Sequence, residues 1–192
     1  MAKNVLVLVR HGETEWSRSG RHTGRTDLPL NAEGRQQAMA LAGRLTAWHF
    51  ALVLSSPLQR ALETCRLAGY GATVQVRPEL MEWDYGRYEG RTSQQIVAEN
   101  PDWSLWRDGG PDGETPADVG RRVDRIIAEA RRVIGDVAIF AHGHVLRVLT
   151  ARWLDESPSA GRHYMLQTAS LSVLGYEHDY PVINRWNLPP TA

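Results

Sequence analysis

Two apolar runs in this chain each break off at a histidine, and that pairing narrows the folds open to it. Val5-Leu6-Val7-Leu8-Val9 leads into Arg10-His11-Gly12-Glu13-Thr14, and Ala138-Ile139-Phe140-Ala141 leads into His142-Gly143-His144. Both runs read as strands. In an open α/β sheet, ligands bind in the crevice outside the carboxyl ends of the strands, so the two endings can set Arg10, His11 and His142 around one site. An arginine beside two histidines is suited to handling phosphate.

The sequence between them alternates helices and strands. Asn31 reads as an N-cap, followed by Ala38, Leu41, Ala42, Leu45 and Trp48 at helical spacing. Leu52-Val53-Leu54 reads as a short buried strand. Ser55-Ser56-Pro57 is then expected to start a helix with proline in its first turn, which puts Arg60 near a strand's carboxyl end. Thr73 to Val76 is a short strand candidate, residues 78–91 look like a loop, and Thr92 with Gln95 resembles a capping box opening a helix towards Asn100. Residues 101–114 carry Trp103, Trp106, Arg107 and the stretch Asp108-Gly109-Gly110-Pro111-Asp112-Gly113, and read as a lid or edge segment.

Thr115-Pro116 opens a long helix whose Val119, Val123, Ile126, Ile127, Ala130, Val133 and Ile134 form one apolar stripe. Val145 to Leu154 is expected as a helix starting at or near His144. Ser170 to His178 is expected as a strand, and Asn187 to Ala192 as a frayed tail. Alternating strands and helices indicate an α/β fold.

A chain of 192 residues with 42% hydrophobic content fits one domain with a sizeable core. Its net charge of zero argues against the broad basic surface that drives nucleic-acid binding. Only Lys3 supplies positive charge ahead of the first apolar run, and Arg10 interrupts that run too early for a signal peptide or membrane span; a cytoplasmic location is expected. Cys65, the single cysteine, cannot form an intrachain disulfide. Lys3 is also the only lysine, which excludes a Walker-type nucleotide cradle and makes an internal lysine Schiff base implausible. Arginine, the other basic residue, favours planar, bidentate recognition of phosphate or carboxylate.

Phosphoryl transfer needs positive groups on the phosphate oxygens, an in-line nucleophile and a proton for the leaving group. A neutral His11 can attack through one ring nitrogen if the other donates its proton to a fixed acceptor. Arg10 and Arg60 can clamp the dianion, and a protonated His142 would add charge that stabilises the transition state. Taken singly, a histidine after a strand is as well explained by a structural or metal-binding role. The pair His142 and His144 would also suit a metal-dependent hydrolase, although carboxylate ligands nearby are not evident. A thiol phosphatase signature would need an arginine six residues after Cys65, where Gly71 stands.

Five blocks in order carry a resemblance. They are Arg10-His11-Gly12-Glu13-Thr14, Thr23-Gly24-Arg25-Thr26-Asp27-Leu28-Pro29-Leu30, Ser55-Ser56-Pro57-Leu58-Gln59-Arg60-Ala61, Glu82-Trp83-Asp84-Tyr85-Gly86-Arg87-Tyr88-Glu89-Gly90 and Phe140-Ala141-His142-Gly143-His144. With them the chain resembles the histidine phosphatase superfamily, also called phosphoglycerate mutase-like, from Val5 to about His178. The resemblance implies a single domain over residues 1–192, built as a three-layer α/β/α sandwich with a mostly parallel central sheet. Residues 78–115 would form the substrate-side loop and lid.

It further implies a phosphohistidine on His11, phosphate held by Arg10, Arg60 and His142, and Glu82 as proton donor. Glu82 would then act as the base that activates water. Thr23 and Gly24 match positions near the phosphate, and Tyr85 matches a substrate-pocket tyrosine. Ser17 and His144 stand where the mutase branch has asparagines, and of that branch's acid-binding cations only Arg107 looks comparable. A mutase must retain its intermediate, exclude water and keep a doubly anionic ligand bound.

The reading is therefore a cofactor-independent phosphomonoesterase, of the acid phosphatase or sugar bisphosphatase branch. Its partner would be a small-molecule phosphate monoester, with no nucleic acid, membrane or metal involved, and with His144 and Arg107 among the substrate-binding residues. Phosphoglycerate mutase activity and noncatalytic phosphate binding are the alternatives, and oligomeric state is open.

Overall fold

Six strands make one mixed sheet. They are β1 (Leu6–Arg10), β2 (Phe50–Ser55), β3 (Val74–Val76), β4 (Asp136–Ala141), β5 (Leu171–Glu177) and β6 (Tyr180–Leu188), in the spatial order β3-β2-β4-β1-β5-β6. The structure is a computed structural model that describes residues 4–191; Lys3 and Ala192 lie outside the described residues. Strands β3, β2, β4 and β1 run parallel, β5 runs antiparallel to β1, and β6 runs antiparallel to β5. β1 and β4 are direct neighbours, in register from Leu6 opposite Val137 to Arg10 opposite Ala141. The two histidines therefore leave the sheet side by side.

Helices cover both faces, which is why the central strands are apolar without alternation. The helices are α1 (Glu15–Arg18), α2 (Ala32–Leu45), α3 (Gln59–Cys65), α4 (Ser93–Glu99), α5 (Leu105–Asp108), α6 (Pro116–Ala130) and α7 (Gly143–Trp153). Leu6, Leu8, Leu54, Val137 and Ile139 point to one core, shared with Val119, Val123 and Ile126 of α6 and Val145, Leu149 and Trp153 of α7. Val7, Val9, Val53, Ala138 and Phe140 point to the other, with Leu41 and Leu45 of α2 and Cys65 of α3. Each fully buried Leu, Ile or Val contributes about 2 kcal/mol. Period-two side chains feeding two cores make the three-layer sandwich.

Several helix starts follow local chemistry. Asn31 accepts from Gly34 N, and Thr92 with Gln95 and Thr115 with Asp118 form complete capping boxes. Four expectations need correction. The helix after β2 begins at Gln59, because Ser56 N first extends the sheet by bonding Phe140 O at 3.0 Å and its hydroxyl accepts from Leu58 N, leaving Pro57 in the turn. Ile134 lies past the end of α6 and is 95% exposed. The loop at 78–91 contains two short 3-10 turns, Pro78–Leu80 and Gly86–Tyr88. Asn187 and Leu188 belong to β6 rather than to a frayed tail. No helix of the described residues is long and apolar enough to cross a membrane.

Candidate active site

The carboxyl ends of β1 and β4, the first turns of α7 and the loops at 20–23 and 82–85 surround a cavity of about 230 Å³. Arg10, His11, Glu82, Tyr85, His144 and Arg147 are on its wall, with Ser17, Arg21, His22 and Thr23.

His11 is held at both ends of its backbone. Its N donates to Ala141 O at 3.0 Å and its O accepts from Ala169 N at 2.9 Å. The following Gly12 has no room for a side chain: a Cβ there would lie 2.3 Å from Gly34 O at the start of α2. His11 Nδ1 is 2.7 Å from Gly12 O. A carbonyl only accepts, so Nδ1 carries the proton and Nε2 keeps its lone pair. Burial, then the charges of Arg60 and Arg10, push the His11 pKa well below the usual 6.5, so the imidazole is neutral at neutral pH. That is the state of a nitrogen nucleophile.

Arg10 donates through Nη1 to Leu166 O at 2.5 Å, while its buried Nε has no hydrogen-bond partner among the described residues. Such a donor is costly to leave unpaired, and its chemistry suits an anionic acceptor. Gly143 leaves space for this guanidinium, since a Cβ there would come within 3.3 Å of Arg10 Cζ.

His142 and Arg60 are fully buried and stand behind the cavity wall. Arg60 donates Nε to His142 Nδ1 at 3.1 Å, Nη1 to Thr26 O, and Nη2 to Thr23 O and Gly24 O, each of the last three at 3.0 Å. Because arginine only donates, His142 Nδ1 accepts, and its proton sits on Nε2, 2.7 Å from Ser56 Oγ. Burial, with Arg60 next, lowers the His142 pKa well below the ordinary range. The expected protonated His142 is thus neutral in this structure, and the positive charge beside it is that of Arg60.

Glu82, 5% exposed, accepts Trp83 N and Val145 N on Oε1 and His144 N on Oε2, all at 2.9 Å. Its carboxylate thereby caps the positive end of α7, whose N-cap residue His142 makes no side-chain cap. Tyr85 Oη lies 2.5 Å from His144 Nδ1, and burial raises the Tyr85 hydroxyl well above its usual pKa, so it remains a phenol. Burial and then Arg147 lower the His144 pKa well below its usual value.

The remaining expected residues separate. Thr23 borders the cavity, its hydroxyl donating to Arg21 O at 3.2 Å. Ser17 also borders it, but its hydroxyl accepts from Thr14 N and donates to Thr14 O within a capping box. Gly24 turns its N–H to Glu89 Oε1 and Oε2 at 2.9 and 3.0 Å, away from a phosphate role. Arg107 is outside the cavity: exposed on α5, its guanidinium pairs with Asp108 at 2.7 and 2.8 Å and donates to Asp102 O. This corrects its assignment to substrate binding.

Arg147 occupies the place foreseen for Arg107. Its Nε and Nη2 donate to Gly161 O and Arg162 O, both at 3.0 Å, and its guanidinium lies 4.5 Å from the Trp106 ring centroid. Its spacing from His144, three residues on one helix face, was the signal that could have found it. His22, also missed, is 4.7 Å from the Tyr85 ring and 3.2 Å from Ser93 Oγ through Nε2; burial lowers its pKa to about 4. Nothing in its local sequence marked it.

Among the described residues no group of three or more His, Cys, Asp or Glu side chains could hold a metal ion. Both ring nitrogens of His142 and Nδ1 of His144 already face protein partners.

A neutral strand-end histidine, arginine donors and a carboxyl on a helix end, gathered at one edge of a mostly parallel α/β sheet, are the groups that phosphoryl transfer requires. The chain belongs to the histidine phosphatase superfamily (branch 1), which matches residues 6–189, and it is a phosphatase. It is 42% identical over 178 residues to an acid phosphatase of Mycobacterium tuberculosis, covering 90% of this chain and 87% of that one. With the sedoheptulose 1,7-bisphosphatase of Saccharomyces cerevisiae it shares 34% over 180 residues, covering 77% of this chain and 66% of that one. A solved structure of a Mycobacterium tuberculosis open reading frame product matches with a TM-score of 0.91 at 38% identity, covering 97% of this chain and 98% of that one.

Proposed function

We propose that the chain hydrolyses small phosphate monoesters, of the acid or sugar phosphate kind, through a phosphohistidine on His11. The observation that carries this reading is the His11 Nδ1–H bond to Gly12 O, which leaves Nε2 unprotonated on a wall that also bears Arg10. The free Arg10 Nε addresses a phosphate oxygen, and Arg60 adds charge from behind while fixing residues 23–26 and His142. His11 Nε2 bonds phosphorus as the ester P–O bond breaks, and Glu82 gives its proton to the leaving alkoxide. Water then attacks the phosphohistidine, loses a proton to Glu82 and releases phosphate.

Three arginines, Arg10, Arg21 and Arg147, and one carboxylate border the cavity, which favours polyanionic substrates. Its volume of about 230 Å³ suits a small metabolite. Those extra arginines also support a second reading, return of the phosphate to the substrate as in a mutase, which a product assay separates from release of inorganic phosphate.

The mechanism is tested by a substrate-derived phosphate label on the protein. It is expected to be acid-labile, alkali-stable and absent in His11→Ala. A label that survives acid, or one on Cys65, would overturn it; Cys65 is fully buried, and burial pushes its thiol up to about 12.

A further inference from the structure

We propose that Arg122, through a buried pair with Glu114, is a positioning residue that holds Glu82 in place for proton transfer. This rests on the reading of Glu82 as the proton donor. Glu82 lies on a strap, residues 77–85, that has no regular structure of its own beyond the single turn Pro78–Leu80, so something outside the strap must fix it.

Arg122, on α6, is 7% exposed. Its Nη1 donates to Glu79 O and Met81 O, both at 2.6 Å. Its Nε and Nη2 reach Glu114 Oε1 and Oε2 at 2.8 and 3.0 Å in a planar fork. Glu114 carries the connection past Glu82. Its Oε2 accepts from Asp84 N at 2.9 Å, its backbone N donates to Asp84 O at 2.9 Å, and its carbonyl accepts from Trp83 Nε1 at 2.8 Å. The strap is thus tied at residues 79, 81, 83 and 84, on both sides of the carboxyl-bearing residue.

Neither member of the pair borders the cavity, and neither bonds His11, Arg10 or Arg60. Its hydrogen-bonded link to the site runs through the strap; the Arg122 charge also bears on His142 at a distance, an effect that alkyl and aryl esters would feel alike. Loss of the Arg122 guanidinium breaks the fork, frees the Glu79 and Met81 carbonyls and lets the Glu82 carboxyl drift from the leaving oxygen, and misplacement on the order of 1 Å is enough to slow an aligned transfer about 100-fold. The step impaired is proton delivery; phosphate binding and attack by His11 are left in place.

Leaving-group dependence reads that difference. An alkyl phosphate such as glycerol phosphate needs a proton on departure, whereas p-nitrophenyl phosphate departs with little help, and kcat/KM reports phosphorylation of His11 for both. For Arg122→Gln we expect a drop of about 100-fold with the alkyl ester and less than about 3-fold with the aryl ester. Glu114→Gln should shift the ratio in the same direction by about 10-fold, and Arg122→Lys should recover part of it. The ratio is taken on one enzyme sample, so a fraction of misfolded protein does not change it; if Arg122→Gln fails to fold, the other two variants decide.

Glu82→Gln is measured alongside. If Glu82→Gln does not discriminate between the esters, the proton-donor reading falls and this proposal with it. If Glu82→Gln discriminates while the Arg122 and Glu114 variants slow both esters equally or neither, the pair is structural only and the positioning role is refuted.

Discussion

The strand-end wall of the site and its loop wall are held by different means. On the first, His11 hangs on backbone hydrogen bonds to Ala141 and Ala169, extending the pairing of β1 with its two neighbours. On the second, Glu82 depends on side chains and helix ends: Arg122 and Glu114 on one side, the N–H groups of α7 on the other. The place of His11, the proposed nucleophile, is a property of sheet topology, and the place of Glu82, the proposed acid, is a property of a few polar contacts. The two halves of the chemistry can therefore be damaged separately.

The sharpest way to break this comparison is at the nucleophile. His11→Ala should lower kcat/KM by at least about 10⁴-fold for alkyl and aryl esters alike, since both require the same attack. Residual turnover that still favours aryl esters would show a route around His11. Next in size is Gly12→Ala, whose Cβ meets Gly34 O. It should destabilise the fold by about 2 kcal/mol in urea unfolding, where an unchanged midpoint would show that the strand-end wall yields after all.

On the opposite wall, Arg147→Gln should raise KM about 10-fold for a substrate with a second anionic group and leave p-nitrophenyl phosphate within about 2-fold. Equal effects on both would place Arg147 on the reacting phosphate.

The smallest effect concerns pH. His22 has a folded pKa near 4 against an ordinary 6.5, so the unfolded chain binds a proton that the folded chain does not, and stability falls as pH drops from 6.5 towards 4. The slope is about 1.4 kcal/mol per pH unit for each such histidine. His11, His142 and His144 act in the same direction. His22→Gln should flatten unfolding free energy between pH 6 and 5 by up to about that slope, and an unchanged slope would mean that His22 titrates normally.

The His11 side was legible in the sequence because its signals are local: an apolar run that ends in an arginine and a histidine. The capped helices α2, α4 and α6 were legible for the same reason. The loop side was less so. Arg107 and Arg147 look equally suitable as residues, and only the third dimension shows one paired with Asp108 and the other over Trp106 beside the cavity. Strand β6 was missed because it pairs only with β5 at the sheet edge, where the consecutive exposed residues Asn184 and Arg185 break the alternation. The state of His142 could not be read either, since its tautomer is set by Arg60, 82 residues away along the chain.

The reversal of β5 has a consequence in time. Because that strand runs against β1, its beginning lies at the rim where β1 ends, so Ala169 and Ser170 reach the backbone of His11 and Arg10, and Leu166 O takes the Arg10 guanidinium. During synthesis Arg10 and His11 emerge before these fasteners, by up to 156 residues. Contacts of such long range close late. A nascent chain already bears the proposed nucleophile long before it has the groups that aim it, and the site is complete only once the segment leading into β5 has docked.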